Sequence, residues 1–93
     1  MKINSIQVVM FVGREDYPEL LSICDDPNDL PQNYDLFLKR IDEMDLALKE
    51  SGMALVKVNI KPNEFLEWCR KKNLRVDGRA RAEYAALIYS KTK

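Results

Sequence analysis

The sequence predicts a two-layer α+β fold with the order β-α-α-β-α-α and an antiparallel strand pair. Three observations predict it. Two runs alternate as strands do, Asn4–Val12 and Met53–Ile60, because successive side chains of a strand point to opposite faces. Between and after them lie segments with apolar residues at helical spacing. Glycine, proline and short polar residues mark the joints.

In the first strand Ile6, Val8, Met10 and Val12 form a continuous apolar face, while Ser5, Gln7, Val9 and Phe11 pass from polar to apolar. The later strand repeats the pattern with the second face reversed. Ala54, Val56, Val58 and Ile60 are apolar, while Met53, Leu55, Lys57, Asn59 and Lys61 pass from apolar to polar. Antiparallel pairing sets polar beside polar and apolar beside apolar. A chain of strand up, helix down, helix up and strand down gives the same answer. Two strands alone are marginal in water and leave two open edges, so the sheet is expected to be extended by dimerisation.

Gly13 ends the first strand, and Asp16-Tyr-Pro-Glu19 reads as a capping box for a short helix carrying Leu20, Leu21, Ile23 and Cys24. Asp25-Asp-Pro-Asn-Asp-Leu-Pro31 is a loop, since Asp and Asn bond their own backbone and proline blocks continuation. A long helix follows, with Tyr34, Phe37, Leu38, Ile41, Met44 and Leu48 on one stripe and Gly52 as its stop. After the second strand Pro62 suits the first turn of a helix that begins near Lys61 and carries Phe65, Leu66, Trp68 and Cys69. That helix ends at about Asn73. Asp77 is a good N-cap for the last one, whose apolar face holds Ala80, Tyr84, Leu87 and Ile88, with Arg79, Arg81 and Glu83 largely outside it.

Ninety-three residues, 46% of them hydrophobic and 32% charged, suit a single globular domain over 1–93. No apolar run approaches the roughly 20 residues of a membrane span, and the apolar run at the N-terminus lacks a cleavage site, so a cytoplasmic location is expected. Cys24 and Cys69 stand far apart in a chain without histidine, which excludes a four-ligand structural zinc site and favours two small buried hydrophobes over a disulfide.

Net charge is zero, yet residues 1–52 hold five Lys or Arg against eleven acids and residues 53–93 hold ten against four. The halves therefore carry −6 and +6. Such asymmetry suits a nucleic-acid surface on the basic half, or two halves that face each other within a chain or between subunits.

Candidate chemistry is sparse. Asp25, Asp26 and Asp29 lack the register of a calcium loop and read as an acidic turn. The turn VGREDYPEL joins a strand to a helix, but it is not glycine-rich, and Glu15 and Asp16 repel an anion. Glu67 near Trp68 and Cys69 is the nearest approach to a catalytic group, with Arg70 or Lys72 as the only activators of the thiol. Trp68 and Tyr84 read as core aromatics, whereas Tyr34 and Tyr89 are candidate interface residues. No cofactor and no metal site is expected, and the balance leans away from an enzyme.

The basic run Arg70-Lys71-Lys72, followed by Arg75, Arg79 and Arg81, is the strongest surface feature. VKVNI, then PNEFLEWCRKKN, then DGRARAEYAALIY is similar in outline to the ribbon–helix–helix DNA-binding proteins. That resemblance implies strands paired between subunits and Lys57, Asn59 and Lys61 as base-reading positions; the six basic residues, presented together by helix, turn and helix, suit phosphate contacts. A second resemblance covers more of the chain. DDPNDLPQNY, EFLEWC and ARAEYA resemble a pattern shared by a group of small bacterial proteins without an assigned activity. It implies a bacterial domain in which Trp68, Cys69, Arg81 and Tyr84 belong to the pattern. These features favour a non-enzymatic interaction or regulatory module that self-associates; a nucleic-acid-binding protein is the alternative and a small enzyme the third.

Overall fold

The computed structural model describes residues 5–91. Strand β1 spans Ser5–Phe11 and is followed by a 3-10 turn, Arg14–Asp16, and helix α1, Tyr17–Ile23. A second 3-10 turn, Pro27–Asp29, leads to α2, Tyr34–Glu50. Strand β2, Met53–Asn59, then precedes α3, Pro62–Lys71, and α4, Gly78–Lys91. The regular elements keep the expected order, with two 3-10 turns interleaved. Asn4, at the expected start of the first strand, lies outside the described residues.

The strands pair parallel, not antiparallel, in a two-stranded sheet. Ser5 lies beside Met53, Gln7 beside Leu55, Val9 beside Lys57 and Phe11 beside Asn59. The expected matching of polar with polar is therefore not what sets the direction. Element length sets it instead. Helix α1, with 7 residues, is only about 10 Å long, whereas the 17 residues of α2 span about 25 Å. A strand of 7 residues is about 23 Å long. Only α2 is long enough to carry the chain back along the sheet, so there is one return and β2 runs the same way as β1. Counting α1 as a full traverse reverses the answer.

The polar–apolar mismatch is absorbed locally. Phe11 packs against Phe37 of α2, with ring centroids 5.7 Å apart, and the Lys57 ammonium lies 5.5 Å from the centroid of the Phe11 ring. The opposite face supplies Met10, Val12, Val58 and Ile60 to the core, all buried. Helix α4 packs across both strands and α2 packs on β2. Tyr17, Tyr34 and Phe37 form one aromatic group, while Phe65, Trp68 and Tyr84 join α3 to α4.

Local signals explain the joints. Asn33 accepts from the Leu36 amide at 2.9 Å and caps α2, and Gly52 leaves that helix at a φ of 80°. Asp77 accepts from the Ala80 amide at 3.1 Å and caps α4 as expected. Asn73 takes φ 57° after α3, a conformation Asn tolerates better than most residues. The capping box at Asp16 does not form, because Asp16 closes the 3-10 turn and its side chain caps nothing. The hydroxyl of Tyr17 instead donates to the Pro31 carbonyl at 2.6 Å, and that of Tyr34 to the Val12 carbonyl at 2.8 Å.

Candidate interaction surfaces

Charge in this molecule is used in two ways, and the loop after α1 shows the first. Asp25 and Val76 exchange two hydrogen bonds: the Asp25 amide donates to the Val76 carbonyl at 2.7 Å, and the Val76 amide donates to Asp25 Oδ2 at 2.8 Å. Asp26 then accepts from the Gly78 amide at 3.0 Å and from the Arg81 guanidinium at 2.7 and 3.1 Å. Arg81 also lies 3.3 Å from Cys24 Sγ. The result is a latch tying the acidic loop to the start of α4. Its position follows from the helix: Gly78 opens α4, and a Cβ there would stand 3.4 Å from Arg81 Nη2.

The latch excludes most water, with side-chain exposures of 11% for Arg81 and 17% for Asp26. Arg81 holds the Asp26 carboxyl below its ordinary pKa, an effect that outweighs burial. Burial is the largest single influence on Arg81 and works against its charge, but the bond and attraction to Asp26, with the contribution of Cys24, together outweigh it and raise its pKa. Burial pushes the Cys24 thiol up.

Arg81 thus leaves the set of basic residues expected on the surface. It faces inward and is committed to Asp26, because its position on α4 turns it toward the loop after α1. The acidic turn, in the same way, is a fastener and not a free cluster. Among the described residues no group of three His, Cys, Asp or Glu side chains could hold a metal ion.

The remaining cations behave differently. Arg70, Lys72 and Arg75 are exposed and form no ion pair among the described residues. Lys71 and Arg79 pair only with Glu67 and Glu83 one helical turn away, in solvent. These residues form a basic rim around the α3–α4 turn. An open groove of about 320 Å³ runs along it, lined by Asn73, Leu74, Arg75, Arg79 and Glu83 among others. Lys57, Asn59 and Lys61 are likewise exposed.

The candidate catalytic pair is not brought together. Glu67 faces solvent in its bond to Lys71, whereas Cys69 is fully enclosed and burial raises its thiol pKa. Trp68 and Tyr84 pack on each other, their rings 5.1 Å apart. Tyr34 and Tyr89 are half-buried against the core.

The sheet edges form the last surface. Ile60 donates its amide to the Phe11 carbonyl at 2.9 Å, so in this register the odd residues of β1 and the even residues of β2 bond across the pair. The amides and carbonyls of Ile6, Val8 and Met10 therefore point to the outer edge of β1, and those of Met53, Leu55, Lys57 and Asn59 to the outer edge of β2. No third strand pairs with either edge among the described residues. Ser5, Ile6 and Gln7 are exposed, and Val8 and Val9 half-buried.

Sequence reasoning missed the latch. Its only sequence signal is the opposite charge of the two halves, which admits an internal pairing without naming the partners. Compared with models of protein families, with curated proteins and with solved structures, the chain has no match.

Proposed function

We propose that this protein is a non-enzymatic interaction module that works as a self-associated assembly. The sheet carries the reading. Parallel strands occur almost only in sheets with neighbours and cover, and a lone pair of strands is marginal in water. Here the pair is parallel and stands alone among the described residues, with both outer edges free. A second copy supplies the strands that stabilise it. Both cysteines are free and buried, and no helix among the described residues is long and apolar enough to cross a membrane; a cytoplasmic location, expected from the sequence, is part of this reading.

Sedimentation equilibrium from about 5 to 500 µM tests the reading, a range chosen for the weak association of small interfaces. The expected result is a mass that rises from that of the 10.8 kDa chain toward twice that value. A constant monomer mass at the highest concentration removes it.

A nucleic-acid-binding protein is the second reading, favoured by the exposed Arg70, Lys72 and Arg75 on the rim, which form no ion pair among the described residues. Lys57, Asn59 and Lys61 offer further polar contacts, and Arg81 is withdrawn from the set. Phosphate contacts release counterions, so such binding to labelled duplex DNA falls steeply between low salt and about 200 mM. Salt-sensitive binding that weakens when Arg70, Lys72 and Arg75 become Ala supports this reading; no binding at low salt eliminates it.

A further inference from the structure

Building on self-association, we infer that the outer edge of β1 is where a second copy binds. Ser5–Val9 of each chain pair antiparallel about a two-fold axis at Gln7, giving four strands in the order β2-β1-β1-β2.

Charge distinguishes the two edges. Every residue of β1, from Ser5 to Phe11, is uncharged. Strand β2 carries an exposed Lys57 on the residues whose backbone faces its outer edge. Two β2 edges brought together place like charges near each other, and an edge lysine is a usual guard against pairing. The β1 edge has neither lysine nor proline, so it meets its own copy without repulsion.

Backbone geometry fits the same pairing. With the axis at Gln7, Ile6 of one copy stands opposite Val8 of the other, and both point their amide and carbonyl outward. Each such pair exchanges two hydrogen bonds, so the junction contains four. Gln7 itself sits in the intervening non-hydrogen-bonded position. Its side-chain amide now donates to the Val8 carbonyl at 3.4 Å, a long, solvent-exposed contact. The carbonyl is therefore accessible and weakly served, and the amide of Ile6 from a second copy replaces that contact with a ladder bond. Ile6, 40% exposed, and the half-buried Val8 meet their counterparts on one face and gain apolar burial.

Two variants test the assignment beside the wild-type sedimentation experiment. In Gln7→Cys the two Cα atoms would lie about 4.5 Å apart across the axis, within the span of a disulfide. Oxidised glutathione removes two electrons and two protons from the facing thiols, and a covalent dimer should form in most of the protein. Asn59→Cys, on the β2 edge, should stay monomeric on a denaturing gel; the native Cys24 and Cys69 are 8% and 0% exposed and give little background. Ile6→Pro removes only an outward amide, which leaves the β1–β2 ladder intact. Its circular dichroism should match wild type while dimer affinity falls at least about tenfold, from two lost hydrogen bonds per dimer. A wild-type dimer whose Gln7→Cys form does not cross-link, or cross-links no more than Asn59→Cys, overturns the β1 edge and leaves self-association standing. A wild-type chain that stays monomeric overturns both.

Discussion

The latch around Asp26 and the open edge of β1 invert the usual placing of residue types. At the latch a carboxylate and a guanidinium are mostly enclosed and bonded to each other, whereas along Ser5–Val9 the more exposed backbone belongs to an uncharged, largely apolar strand. Fully enclosed ion pairs often add little net stability, because desolvation offsets their attraction. This pair is placed where it adds position: it ties the loop after α1, just before its 3-10 turn, to the first turn of α4, together with the two bonds between Asp25 and Val76. Charge at the latch serves the fold, while the exposed surface keeps an uncharged strand edge and a rim of cations that, among the described residues, pair at most with solvent-exposed acids.

Removing one side of the latch is the strongest way to break that comparison. Arg81→Ala leaves Asp26 enclosed with only the Gly78 amide as partner, and stability should fall by about 3 kcal/mol in urea unfolding at neutral pH. Asp26→Asn should cost less, about 1–2 kcal/mol, because the carboxamide oxygen can still accept from Gly78 while the charge is lost. If Arg81→Ala were as stable as wild type, the latch would be an ornament of the loop and not its fastener.

How much of this was legible in the sequence differs between the same regions. The strands, the long helix and the cap at Asp77 were readable because period and capping are local properties. Strand direction was not. It depends on how far α1 carries the chain, a length that the pattern Leu20, Leu21, Ile23 and Cys24 does not fix. The role of Arg81 was hidden for a related reason. Its neighbours Arg75 and Arg79 place it among surface cations, while its partner lies 55 residues away in a turn that reads as solvated. Pairing over that distance is a property of the packed chain.

Acid sharpens the comparison with a smaller effect. The folded pKa of Asp26 is depressed, so its contribution is fully present above the unfolded value near 3.9 and is lost as pH falls through the folded value. The stability gap between wild type and Asp26→Asn should therefore be widest at neutral pH and close below about pH 4. Urea midpoints of the two proteins between pH 7 and 3 check it. A gap that stays constant to pH 3 would mean that the carboxylate's charge contributes nothing to the latch.

The smallest effect is expected two residues away. Arg79 shares α4 with Arg81, but its side chain is 89% exposed and among the described residues pairs with Glu83 alone, one turn along at 3.3 Å. Exposed pairs of this spacing are worth about 0.3–0.5 kcal/mol, so Arg79→Ala should move the urea midpoint by an amount close to the error of the measurement. Because Glu83 remains in water, no buried charge is left behind, in contrast with Asp26 in the Arg81 variant. Two arginines of one helix should thus differ severalfold in their effect on folding, and only the weakly held one is open to solvent. Equal losses for the two variants would show that Arg79, too, holds the fold, and would remove the contrast between the latch and the rim.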